Sequence, residues 1–112
     1  HHKLKAYHLA LRMAKLAKKL ADQVPRGFRT FADHLIRAAG ATVMLVCEGA
    51  NRFGAAQKRQ RFNEALGECG ESAGAAELLD VLELVNHDDA EQYLDVADEV
   101  IATVTGLHKS VA

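Results

Sequence analysis

Seven basic side chains carry the chemistry most readable in this sequence. Arg52, Lys58, Arg59 and Arg61 crowd into one short stretch, and Arg26, Arg29 and Arg37 precede them. Guanidinium and ammonium groups at helical spacing neutralise phosphates and release the counterions condensed on a nucleic-acid backbone. Such a cluster predicts salt-dependent binding to RNA or DNA with little sequence preference. Lys58 and Arg61 are three residues apart and share a helical face, with Arg59 on its flank. Arg52 falls in a loop just ahead of a helix start, where orphan amides also favour anions. Phe53 is the aromatic residue placed to stack on a base, since Phe62 has the spacing of a core residue.

Other chemistries lack their residues. A carboxylate-bridged iron site in a helical bundle needs Glu-x-x-His pairs, and the chain contains no such motif. Cys-x-x-Cys zinc spacing is also missing. His8, His34, His87 and His108 are scattered and read as surface or boundary residues. Cys47 and Cys69 sit inside apolar helical patterns without a His placed to activate them, so they read as core thiols. Gly67 to Gly74 is rich in small residues, but no Lys-Ser/Thr follows as a phosphate loop requires. The expectation is a non-enzyme with no cofactor and no metal.

The elements that position these residues follow from composition and period. The chain has 112 residues, 49% hydrophobic and 26% charged, with one Pro and no Trp. That suits one helical domain over residues 1–112. His1 and His2 read as a tag remnant and are set aside. The longest apolar run, Ala38 to Cys47, is short of a membrane span. A cytoplasmic protein without a membrane partner is expected. The formal net charge of −1 conceals a division between halves. Residues 1–61 hold 13 Lys and Arg against 3 Asp and Glu, while residues 62–112 hold 1 against 12. Opposed halves suit head-to-tail contacts that close a ring.

Four amphipathic helices are predicted. The first runs from about Leu4 to Val24 on a stripe of Leu9, Met13, Leu16 and Leu20, ended by Pro25 and Gly27. The second starts near Phe28 or Thr30 and runs to Glu48 on Phe31, Leu35, Ala39, Val43 and Val46, with Gly49 as its C-terminal cap. The third, about Ala55 to Val85, has a middle of small residues where it could kink. The fourth covers about Asp89 to Leu107, capped by Asp88 with Glu91 three residues on. Short loops between such helices give an all-α, antiparallel up-and-down four-helix bundle.

Arg37-Ala38-Ala39, then Glu48-Gly49 and Arg52, then Arg61-Phe62 resemble a motif series of one bundle family. That family was described from open reading frames in the intervening sequences of bacterial 23S rRNA genes. It is related to the accessory variability determinant of diversity-generating retroelements. The resemblance spans the chain from the first helix with Tyr7 to Thr105-Gly106-Leu107. Ala41, Val43 and Leu45 stand where the family has Ser, Pro and Asn, and Glu68-Cys69 where it has Gly-Ser. The resemblance implies a four-helix bundle assembling as a homo-pentamer without known catalysis. It also implies, in the retroelement branch, binding of a reverse transcriptase and its RNA through a basic surface. Two functional expectations follow: a nucleic-acid-binding accessory protein, or a protein-only adaptor ring.

Overall fold

The computed structural model describes residues 2–52 and 54–111. Four helices follow in order: α1 His2–Ala21, α2 Arg29–Asn51, α3 Ala55–Val81 and α4 His87–Ser110. A single 3-10 turn, Arg26–Phe28, leads into α2. Each helix packs on its chain neighbour, and α1 closes on α4, which makes the square of an up-and-down bundle. The α2–α3 seam is the most extensive. The body measures 45 × 22 × 17 Å.

Small residues set the helix spacing. On α1 the fully buried stripe is Ala6, Ala10, Met13, Ala17 and Leu20, while Leu9 and Leu16 flank it half-buried. Three alanines on one face let neighbouring helices approach closely, which a pattern of large apolar residues does not reveal. On α2 the buried face carries Ala32, Leu35, Ala38, Ala39, Thr42, Val43 and Val46. Thr42 satisfies its hydroxyl by donating to Ala38 O at 2.9 Å. Phe31, expected in the stripe, lies exposed beside Phe28, their rings stacked with centroids 6.3 Å apart.

Several predicted ends move. The second helix runs through Gly49 to Asn51, and Gly49 is helical and buried rather than a cap. Neither Thr30 nor Phe28 caps α2 with a side chain; Thr30 lies within the first turn. The third helix is unbroken through its small residues and stops at Val81, before the expected Val85. Its end has Glu83 at φ 59°, with Leu84 N bonded to Leu79 O and Glu83 N to Asp80 O, both at 2.9 Å. That is a Schellman turn with Glu where Gly is usual. Asn86, not Asp88, caps α4: its side chain accepts from Asp89 N at 3.0 Å. Gln23 ties this cap to the end of α1, accepting from Asn86 N at 2.6 Å and donating to Asp89 Oδ2 at 2.9 Å.

Arg26–Asn51 contains a window long and apolar enough, by length and composition only, to cross a membrane, a test that the core helix of a folded bundle also passes. The longest apolar run within it remains the short Ala38 to Cys47 stretch. Part of that apolarity faces the core, and part is the exposed Ile36 and Met44, the latter 60% accessible.

Candidate nucleic-acid interface

The seven predicted basic residues do not form one patch. Arg26 and Arg29 are exposed at the end of the bundle where α1 finishes and α2 begins. Arg52, Lys58, Arg59 and Arg61 surround the α2–α3 junction at the opposite end. The rise along α2 separates the two groups by about 34 Å. Arg37 lies between them on α2.

Two of the seven are committed to carboxylates. Arg61, with its side chain 29% accessible, reaches Glu48 Oε2 at 3.3 Å through Nε and Glu64 Oε1 at 2.7 Å through Nη1. Arg37 lies 3.9 Å from Glu68 and 3.8 Å from Glu71, with His34 Nδ1 at 3.2 Å. Burial and the neighbouring Glu71 carboxylate push Glu68 above the usual carboxylate range, against the pull of Arg37. Both arginines bridge α2 to α3, Arg61 closely and Arg37 through longer, solvent-exposed contacts.

The motif pieces explain each other in space. Glu48 pairs with Arg61, and the adjacent Gly49 receives the ring of the adjacent Phe62. A Cβ on Gly49 would stand 2.6 Å from Phe62 Cε1, so the helix must lack one there. Glu48-Gly49 and Arg61-Phe62 are thus one lock between α2 and α3, half charge and half shape.

Lys58 lies beside Lys3, whose hydrogen bond and charge hold the Lys58 ammonium below the ordinary lysine range. The two border a cavity of about 280 Å³ with Phe62, Ser110 and Val111 at the open end of the bundle. Arg52 is exposed where α2 gives way to extended backbone, and Arg59 is half-exposed on α3. Phe53, the stacking candidate, lies outside the described residues.

A larger basic surface lies on α1. Lys5, His8, Arg12, Lys15 and Lys19 recur at intervals of three and four and are all exposed. Their rise along the helix covers about 21 Å. The helix holds no acidic residue before its end at Ala21. Lys18 bonds Asp22 at 2.7 Å and Lys19 reaches Asp89 at 3.1 Å. Lys5, Arg12 and Lys15 have no carboxylate partner among the described residues. The signal was present in the sequence as a second helical period, opposite the alanine face. A count of local charge density around residue 58 hides it.

The neighbouring α4 mirrors it. Asp88, Glu91, Asp95 and Asp98 follow the same intervals and are exposed. The groove between them is lined on the α1 side by Arg12, Lys15 and Lys19, with Gln92 facing them.

The thiols are arranged for packing. Cys69 Sγ sits 3.7 Å from Met13 Sδ and 3.6 Å from Ala97 O, and burial, with Asp98 adding to it, pushes it up to about 11. Cys47 is half-buried, with Asn51 Nδ2 at 3.6 Å from its sulfur.

The family model for 23S rRNA-intervening sequence proteins matches residues 2–106. A crystal structure of a protein of unknown function from the S23 ribosomal protein family, from Bacteroides thetaiotaomicron, superposes with a TM-score of 0.89. It is 16% identical, and the match covers 98% of this chain and 100% of that one. At that identity the likeness speaks for the fold. No curated protein matches the chain.

Proposed function

This chain belongs to the 23S rRNA-intervening sequence protein family, and from that premise we propose that it is a non-catalytic accessory protein binding the backbone of RNA or DNA. The supporting observation is the α1 stripe of Lys5, His8, Arg12, Lys15 and Lys19, exposed along one face. A linear run of cations suits a phosphate backbone better than it suits a compact ligand. Arg52, Lys58 and Lys3 extend the positive surface at the lower end of the bundle. Arg26 and Arg29 extend it at the upper end, where α1 also finishes. Arg61 drops out of the contact set because Glu48 and Glu64 already hold it, and Lys19 is likewise engaged by Asp89. A reverse transcriptase, if it is the protein partner, would share this face with its RNA.

Self-association belongs to the same reading. Leu4 and Leu11 on α1 and Ile36 and Met44 on α2 are exposed apolar residues whose burial between copies would favour assembly. A ring of five copies would repeat the basic stripe and raise affinity by avidity.

A second reading rests on the match between α1 and α4. Stripes of opposite charge with equal spacing fit a protein-only ring, in which α1 of one copy meets α4 of the next. One experiment separates the two. Gel shift of structured RNA and duplex DNA is run with the wild type and with Lys5→Gln/Arg12→Gln/Lys15→Gln/Lys19→Gln, alongside light scattering of both proteins. Loss of the shift with unchanged mass supports nucleic-acid binding. Loss of mass without any shift in the wild type supports the ring.

A further inference from the structure

Exposed apolar side chains gather at one corner of the bundle. Phe28 and Phe31 at the start of α2, with Leu78, Val81 and Leu82 at the end of α3, make five of the nine large hydrophobic residues that lie exposed among the described residues. The seam between the two helices joins them into one patch. Arg37 stands beside Glu71 and Gly49 against Phe62, so the antiparallel helices bring Phe31 level with Glu77, and Phe28 level with Asp80, to within a turn. Val81 is 77% accessible. Phe28 is held in place by its own turn, its amide donating to Pro25 O at 2.9 Å. Single exposed hydrophobics are ordinary on a surface, but a contiguous apolar patch with a polar rim marks a protein contact.

The two edges of this patch differ in charge. Along α2, His34 and Arg37 follow Phe31, and both are exposed. Arg37 reaches Glu68 and Glu71 only at 3.9 and 3.8 Å, which leaves its guanidinium open to a further carboxylate. On α3, Glu68, Glu71 and Glu77 precede Leu78 and Val81, and no basic residue follows Arg61 in that helix. A surface that is basic on one edge and acidic on the other complements its own copy. A two-fold axis parallel to the bundle sets α2 of one copy against α3 of its partner at the same level.

We propose that this α2–α3 corner is an isologous interface with a second copy of the chain. Phe28, Phe31, Leu78, Val81 and Leu82 form its apolar centre, and Arg37 of each copy meets Glu71 of the partner subunit. The charges decide against docking on the other exposed apolar residues, Leu4, Leu11, Ile36 and Met44. That pairing would turn the His34 and Arg37 edge toward the cations of α1. The corner is thus a contact separate from the α1 and α2 residues offered above for a ring, and it doubles whatever number of copies they assemble. It also leaves the basic α1 stripe open, because the groove bordered by Arg12, Lys15 and Lys19 lies on the α4 side, where Gln92 faces them.

The test is light scattering of the full chain over a concentration series, with circular dichroism to show that each variant is folded. The wild type is expected to contain an even number of chains, and Leu78→Asp/Val81→Asp should halve that number. Val81→Asp alone, at the most exposed of the five positions, should act in the same direction. Arg37→Glu should weaken the pairing about tenfold or more, since like charges then face each other. Arg37→Glu/Glu71→Arg should restore it, because both edges reverse together. Leu4→Ser/Met44→Ser, on the other apolar face, should leave the pairing intact. A wild type of one chain or of an odd number of chains would overturn the pair and leave the patch to a different protein or a lipid surface. An unchanged mass in Leu78→Asp/Val81→Asp would overturn it too, as would an Arg37→Glu loss that Glu71→Arg does not repair.

Discussion

The ring of Phe62 occupies the space where any other residue at Gly49 would carry its Cβ, with only 2.6 Å between that point and Cε1. The contact joins α2 to α3 immediately beside the Glu48–Arg61 pair. Gly49→Ala is expected to destabilise the fold by up to about 2 kcal/mol. Helix propensity gains about 1 kcal/mol, but forcing an overpacked core costs about 1–3. Urea unfolding of Gly49→Ala against Gly49→Ala/Phe62→Leu checks the cause. The second change should recover part of the loss by vacating the space.

Glu83 offers the opposite case. Its φ of 59° is costly for a residue with a Cβ. Glu83→Gly should stabilise by about 1 kcal/mol, read as a higher urea midpoint at an unchanged slope. A lower midpoint would mean that the Glu83 side chain makes a contact worth more than the backbone strain.

Among the described residues, the fully buried Tyr93 hydroxyl makes no well-formed hydrogen bond, and the Ser72 side chain is its polar neighbour. Ser72 Oγ gives its hydrogen to Cys69 O at 2.7 Å instead. Tyr93→Phe should therefore leave the melting temperature unchanged or raise it, because no well-formed buried bond is broken. A loss above about 1 kcal/mol would place a real bond on that oxygen.

Ionisation of Cys69 links stability to alkaline pH. Burial, with Asp98 adding to it, pushes its thiol up to about 11 in the fold against an ordinary 9.0. The folded value is the raised one, so the contribution is complete below pH 9 and is lost as pH rises toward 11. Stability should fall across that window in the wild type and fall less in Cys69→Ala. At pH 8, a thiol reagent should modify Cys47 and leave Cys69 intact until the protein unfolds.

Much of the fold was legible because it rests on period. Four helical stripes with short connections fix an up-and-down bundle, and the charge division between halves is visible by counting. What escaped was decided by partners. Gly49 followed by a loop reads as a helix cap, but Phe62 needs it inside the helix. Asp88 reads as a cap, yet Asn86 takes the position because Gln23, in the turn after α1, holds its amide. Arg61 and Arg37 read as free cations until α2 and α3 bring Glu48 and Glu68 beside them. The basic α1 stripe had its period in plain sight, but exposure, which depends on the tertiary fold, is what makes it a surface.

The most direct test of the central claim is the salt dependence of duplex DNA binding. Three phosphate contacts by Lys5, Arg12 and Lys15, which have no carboxylate partner among the described residues, predict a slope of log affinity against log salt of about −2.7. Each single Gln substitution among these three should reduce that slope by about 1. Arg61→Gln should leave it unchanged, because Glu48 and Glu64 already hold its charge. A slope that survives the fourfold α1 variant, or that falls with Arg61→Gln instead, would contradict the account.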